Sequence, residues 1–383
     1  MNGINNPIIA PAPHFTKKGN TTRMTMAHVL IALAPVVIAS VVIFGHLVIL
    51  NVFFCVLFCM GFEILYNMLL KKKWNKQGLK DNSAWDLSSA VTGVILALNL
   101  PTALNIWGMN IAGEANANGI IPVYFSFDTV IACFLGSLVA IVLVKMLFGG
   151  IGKNFANPAM IGRIFLFIAF AGAFTGIYAG VGENGGILQG VTQATWLGEK
   201  FVTDAAGVTS LNINIPMLDM FFGRIGSAAV GEVCVIAILV GYIYLSVMRV
   251  IDFRIPLVVV ASALVFVFLF DGLIVNTLSG MDYLRFVGMH ALSGGLIFGA
   301  VFMATDYASS PKTFWGRLIF AAGIGLLTAI MRTWTSMPEG ISFAIVIMNV
   351  VTPLIDKIIR PRPFGVAKEK KPKEAAANAG GTK

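Results

Sequence analysis

Charge is what this sequence lacks. Only 12% of its 383 residues are Asp, Glu, Lys or Arg, against 57% hydrophobic residues, and the mean hydropathy is +0.84. A water-soluble domain carries about a quarter of its residues as charges, so a soluble enzyme or binding module is excluded. Cysteine is nearly as scarce. Cys55, Cys59, Cys133 and Cys234 all lie in apolar runs, with no CxxC or Cys/His grouping. That spacing argues against a zinc or iron–sulfur site built by this chain alone. Cys55 and Cys59 share a helix face and read as ordinary small membrane residues. Nucleotide signatures are missing too. A phosphate-binding Walker loop around Gly152-Lys153 would need a glycine where Leu147 stands and a hydroxyl where Asn154 stands, and no GxGxxG follows a strand. Met1–Arg23 has no apolar core, so a cleaved secretory signal is not expected. The net charge of +9 sits in loops and the C-terminal tail, a distribution that does not suit nucleic acid.

What the sequence has is long apolar runs. An uninterrupted run of about 18 residues or more reads as a membrane span, and ten can be placed: 26–45, 47–70, 84–103, 128–148, 158–180, 228–249, 255–275, 286–306, 315–334 and 339–358. With ten spans, nearly every basic flank falls on one side. These flanks include Lys17 and Lys18, the Lys71–Lys73 run, Lys145, Lys153, Arg163, Arg249, Arg254, Lys312, Arg317 and the tail. The other side receives Lys200, Arg224, Arg285 and Arg332. The positive-inside rule then makes both termini cytoplasmic. The expected organisation is an all-α polytopic membrane protein with a cytoplasmic N-terminal segment (1–25) and a first five-helix half (26–180). An extracytoplasmic loop (181–227), a second five-helix half (228–358) and a basic cytoplasmic tail (359–383) complete it. Five spans per half would invert the second half relative to the first, as in many transport folds. A weak internal echo accompanies this: Leu87-Ser88-Ser89-Ala90 and Leu292-Ser293-Gly294-Gly295 both precede glycine-containing apolar runs.

Ionisable residues inside spans are costly and point to function by default. Glu63, Asp86, Glu232, Asp306 and Asp356 qualify. Asp86 and Asp306 stand at corresponding depths of the two halves, and with Asp356 they are the candidates for an ion path. Most of these acids lie near a span end, where water would solvate them in any case. His290 reads as an interfacial or hydrogen-bonded residue rather than a metal ligand, and no metal site is expected. The stretch GGIGKNFANPAMIGR (149–163) is the sharpest local anomaly. Its glycines let the backbone turn tightly, Asn154 and Asn157 offer amide groups to a flat heterocycle or a phosphate, and Pro158 can open a helix. A tight loop before a helix start explains the same residues.

Several stretches carry a resemblance. APHFTKKGNTTRMTMAHVLIALAPV, DLSSAVTGVILALNLP, GKNFANPAMIGR, HALSGGLIFGAVFMATDYASSPKTFWGRLIF and RTWTSMPEGISFAIVIMNVVTPLIDKIIRPRPFG are together similar to the RnfD/NqrB family. This family comprises RnfD, a membrane component of Rnf electron-transport complexes, and NqrB, its counterpart in sodium-pumping NADH:quinone oxidoreductases. The match runs from about Pro13 to Gly365, and the short N-terminal segment favours the Rnf branch. The resemblance implies a ten-span inverted repeat in the bacterial plasma (inner) membrane. It also implies FMN joined through its phosphate to a threonine hydroxyl in an outer loop, attached by a flavin transferase. The family pattern is Asp, a run of small residues, Thr, and then usually Pro-Leu. DAAGVTSL matches with Asp204, Gly207, Thr209 and Leu211, and departs from it with Val208 and Ser210. Thr209 is therefore the expected attachment residue, ahead of Thr203 and Ser210. A second, non-covalent riboflavin is implied as well, with Asn154 and Asn157 as its contacts.

The function implied is that of a flavin-carrying component of an ion-translocating ferredoxin:NAD oxidoreductase. It would relay electrons among partner Rnf subunits while sodium or protons cross the membrane, and it would contact membrane lipid. An NqrB-like component of a quinone reductase is the alternative within the family. A secondary transporter or channel for a small solute is the alternative from another class.

Overall fold

Apolar runs bounded by capping chemistry build the bundle. The computed structural model describes residues 21–70, 82–101, 127–171, 197, 201–203, 209–211, 216–223, 229–274, 280–335 and 340–359. Helix α1 (Thr22–Phe44) begins where the Thr21 hydroxyl accepts from the Met24 N–H, and it stops at Gly45, whose φ of 84° suits a residue without a β-carbon. Helix α2 (Leu47–Leu70) follows directly. One turn of 3-10 helix (Ser83–Asp86) leads into α3 (Ser88–Leu98), and α4 (Phe127–Met146) turns π-helical from Val139 onward. Helix α5 (Pro158–Ala169) starts as its sequence suggests, with Pro158 in the first turn and the Asn157 side chain accepting from the Ala159 N–H.

Two three-residue strands, β1 (Phe201–Thr203) and β2 (Thr209–Leu211), pair antiparallel. A short helix, α6 (Met217–Phe222), follows, and then come α7 (Val235–Val247), α8 (Arg254–Ile274) and α9 (Gly280–Leu292). Helix α10 (Leu296–Met303) is π-helical from Gly299, and α11 (Phe314–Trp334) and α12 (Ile341–Ile358) end the described chain.

By length and composition α1, α2, α4, α11 and α12 can each cross a membrane, and α9 with α10, bent by 54° at the break between them, forms either a broken span or a re-entrant loop. Helices α3, α5 and α7 are apolar but shorter, as is the Arg254–Phe270 stretch of α8. Large hydrophobic side chains such as Ile38, Phe53, Leu257 and Val350 point outward from these helices, as lipid-facing residues do. The chain is an all-α polytopic membrane protein. Each of the ten apolar runs overlaps a described helix, although α5 accounts only for 158–169 of the run 158–180, whose residues 172–180 lie outside the described ones. The runs 84–103 and 286–306 differ from expectation in being broken rather than continuous.

Packing recurs along the chain. Helix α2 packs on α4 as α8 packs on α11, and α4 packs on α5 as α11 packs on α12. Helix α1 meets α7, and α5 meets α12, so the first and fifth helices of each set of five touch their counterparts. The α1–α7 contact is very close: a β-carbon on Gly241 would lie 2.4 Å from the Ala32 carbonyl oxygen. Small residues at such crossings let backbones approach where no water drives helices together.

Candidate functional site

The third helix of each set is interrupted at left-handed residues. Leu87 has φ 63° just before α3, and Gly294 and Gly295 have φ 63° and 65° just before α10. The sequence echo around Ser88 and Ser293 marks these two breaks. An interruption frees backbone groups in an apolar setting, and each must find a partner there. The two breaks are served differently, but in both a cationic side chain comes from the fourth helix of the same set.

At the first break the cation is Lys145, only 2% exposed, on the π-helical end of α4. Its Nζ donates to Glu63 Oε2 at 2.5 Å and to the Ser88 hydroxyl at 2.7 Å. Ser83 Oγ donates to Glu63 Oε1 at 2.6 Å, and Asn67 Nδ2 donates to Ser83 Oγ and to Asn82 Oδ1. A π-helical turn shifts the register of everything after it, and the shift falls where Lys145 meets Glu63. A positive charge at the N-terminus of α3 is unfavourable by itself, and the Glu63 carboxylate offsets it.

At the second break the cation is Arg332, 3% exposed, on α11. Its guanidinium donates to the carbonyls of His290 (2.5 Å), Ser293 (2.7 Å) and Gly294 (3.1 Å). These are carbonyls that a continuous helix would have bonded internally. On the other side of the gap, the Glu232 carboxylate lies against the N-terminus of α10: a β-carbon on Gly295 would stand 2.4 Å from its Oε1. Arg163 approaches Glu232 at 3.6 Å and donates to Asn99 Oδ1 (2.9 Å) and Ser342 Oγ (2.7 Å). It thereby ties α5 to the end of α3 and the start of α12.

A cavity of about 100 Å³ adjoins the first break. Its lining includes Ser88, Thr92, Lys145, Asn154, Asn157, Thr305 and Asp306. The 149–157 loop closes one side, with Gly149, Gly150 and Gly152 at φ 107°, 94° and 80°. The Asn157 amide is taken at both ends, since Oδ1 caps α5 and Nδ2 donates to the Met303 carbonyl. Asn154 Oδ1 is enclosed and has no hydrogen-bond partner among the described residues.

Comparison with known proteins fits this architecture. The chain matches the model of the NQR2, RnfD, RnfE family over residues 8–125 and 118–365. It is 34% identical over 377 residues to the D component of the Na(+)-translocating ferredoxin:NAD(+) oxidoreductase complex of Acetobacterium woodii, covering 98% of this chain and all of the relative. It is 31% identical over 387 residues to the D component of the ion-translocating oxidoreductase complex of Vibrio cholerae serotype O1, covering 93% and 99%. A further relative is the D component of the proton-translocating ferredoxin:NAD(+) oxidoreductase complex of Clostridium ljungdahlii, at 35% identity over 241 residues, 60% of this chain and 67% of that one. The chain belongs to the NQR2, RnfD, RnfE family.

In this NQR2, RnfD, RnfE chain the expected site residues fall in separate places. Thr209 opens β2 and stands directly opposite Thr203 in the register, while the residues between them, Asp204–Val208, lie outside the described ones. Asp306 accepts from Ala308 N and Ser309 Oγ, and Asp356 accepts from Lys312 N. Both acids therefore brace the connection between α10 and α11, which Thr352 also anchors through the Ser309 carbonyl. Asp86 ends the 3-10 turn before α3, and no hydrogen bond among the described residues joins it to the other two. His290 is buried edge-on against Phe286, with ring centroids 4.9 Å apart. No group of three or more His, Cys, Asp or Glu suited to a metal occurs among the described residues.

The structure corrects the charge tally at three positions. Lys145, Arg163 and Arg332 are counted in the sequence as loop or flank charges, yet all three are buried and hydrogen-bonded inside the bundle. Counting each charge with its nearest span end cannot anticipate partners supplied by other helices. The one signal in the sequence for Lys145 is its apolar flank, VLVKMLF.

The second break offers a direct check. Gly295→Ala is expected to lower the thermal unfolding midpoint in detergent. A left-handed backbone costs an L-residue about 1–2 kcal/mol, and the new methyl group meets the Glu232 carboxylate. Gly280→Ala, where nothing lies within 4 Å of the added carbon, should leave the midpoint within a degree or so of the parent.

Proposed function

We propose that this chain is the RnfD-type membrane component of an ion-translocating ferredoxin:NAD oxidoreductase, an Rnf complex, and that it carries FMN on Thr209. The observation that carries this reading is the end-to-end similarity to the Acetobacterium woodii relative, which extends over every described helix. A plain solute transporter would share the spans and breaks but has no need of a threonine in an Asp-plus-small-residue segment. The relatives themselves are named for different ions, sodium in one and protons in another.

The charge tally still favours cytoplasmic termini after Lys145, Arg163 and Arg332 are removed from it. Only Lys200, Arg224 and Arg285 then oppose more than a dozen basic residues. On this orientation the β1–β2 segment faces outward, and both the 147–157 connection and the α10–α11 connection face the cytoplasm of a bacterial plasma membrane.

A phosphodiester tether asks for a hydroxyl on a segment that a flavin transferase can reach, and Thr209, the first residue of β2, carries one. FMN supplies one- and two-electron redox chemistry, and the chain supplies its location and the electrostatic surroundings. The cavity beside the 149–157 loop suits a riboflavin less well. At about 100 Å³ it falls below the ~300 Å³ at which small-molecule sites ordinarily begin, and Asn157 is already committed. A few waters or an ion fill such a space. Within this reading Asp306, which borders the cavity, leads Asp86 and Asp356 as the ion-path candidate.

Deletion of this chain should abolish ferredoxin-dependent NAD reduction and the associated ion uptake in membrane vesicles, with both restored by complementation. Retention of coupled uptake in the deletion strain would end the proposal.

A further inference from the structure

The walls of the cavity carry opposite charges. Asp306 lines it from the α10–α11 connection, and Lys145 and Ser88 line it at the break before α3. Glu63 is not part of the lining. It stands behind Lys145, which holds its carboxylate at 2.5 Å. The N-terminus of α3, whose free N–H groups are also positive, begins at this same wall, and no side chain caps it. A cation drawn in by Asp306 would therefore also meet an ammonium and a positive helix end, which oppose its passage.

Lys145 is in no position to step aside freely. Two hydrogen bonds hold it, and its backbone is in the π-helical end of α4. The other set of helices has a cation in the corresponding place, with Arg332 of α11 inserted at the break before α10.

We infer that Lys145 is a fixed cationic barrier in the wall of the cavity, a residue that stops cations from leaking through the bundle without redox coupling. The inference rests on the reading of this chain as part of an ion-translocating complex. Like charges in a low-dielectric interior repel strongly over a few ångströms, so one ammonium suffices for the task. Glu63 holds it from behind and balances its charge, so that the pair turns its ammonium end toward the cavity.

The test is passive cation flux through the whole complex reconstituted in liposomes, with no electron donor present, followed with radioactive sodium and with a pH-sensitive dye. Lys145→Met is expected to raise the flux by about tenfold or more. The double variant Glu63→Gln/Lys145→Met, which removes the pair as a unit and guards against misassembly of the single variant, should leak as well. Lys145→Arg keeps the charge and should stay as tight as the parent. Tight liposomes with Lys145→Met and with the double variant would overturn the barrier. Equal leakage in all three would overturn it too, because that is loosened packing. Donor-driven uptake is measured on the same liposomes. Its absence from the parent complex defeats the functional reading, whereas tight Lys145 variants in a working pump defeat the barrier alone.

Discussion

Thr209→Ala should leave the denatured polypeptide dark under ultraviolet light in a gel where the parent band fluoresces. The effect is expected to be all or none. A phosphodiester survives denaturation, a non-covalent flavin does not, and alanine has no oxygen to esterify. The β1–β2 register makes the comparison sharp, because Thr203 and Thr209 are directly paired across the hairpin while Ser210 pairs with Val202. All three of these residues carry a hydroxyl. On the proposed reading the small-residue run leading from Asp204 marks Thr209. Thr203→Ala and Ser210→Ala should therefore remain fluorescent. The expression host must contain the flavin transferase, shown by a fluorescent parent band. Fluorescence persisting in Thr209→Ala would move the tether elsewhere, and a dark parent band from a host known to flavinylate a related protein would refute a covalent flavin on this chain.

Arg332→Leu should be the most destabilising single change among the buried cations, on the order of 3–5 kcal/mol. Leucine fills much of the space but leaves the carbonyls of His290, Ser293 and Gly294 facing an apolar interior. Hydrogen bonds from a charged donor are worth roughly 1.5–3 kcal/mol each. Lysine in the same place should recover only part of the loss, because its single ammonium cannot reproduce the planar fork of the guanidinium. Thermal unfolding in detergent gives the order parent, Arg332→Lys, Arg332→Leu. A leucine variant as stable as the parent would mean that the break is held by something other than Arg332.

The sequence made most of the helices legible because hydropathy is a local property. The run 47–70 returned as α2 (Leu47–Leu70), and Asn157-Pro158 opened α5 as capping chemistry requires. The echo between Leu87-Ser88 and Ser293-Gly294 was visible too, although nothing in the sequence says that both places are left-handed breaks. Leu87 in particular gives no warning, since a branched side chain at φ 63° is unexpected and depends on its surroundings. The buried cations were the larger omission. Lys145 is separated from Glu63 by 82 residues and Arg332 from His290 by 42, so the contacts that make burial tolerable lie far outside any window of sequence. Asn157 was legible as a polar residue of interest, but its commitment to Ala159 and Met303 depends on helices meeting in three dimensions.

Those same separations set an order of events during synthesis. Glu63 and Ser88 leave the ribosome 82 and 57 residues ahead of Lys145, and the carbonyls at the second break precede Arg332 by 38 to 42. In each case the group that needs a partner is translated first. Until α4 arrives, helix α2 therefore holds a carboxylate without the ammonium that balances it. The unit of membrane insertion in this protein is accordingly a group of helices completed by its cation, and a chain truncated after α3 or after α10 should be retained by the insertion machinery or degraded.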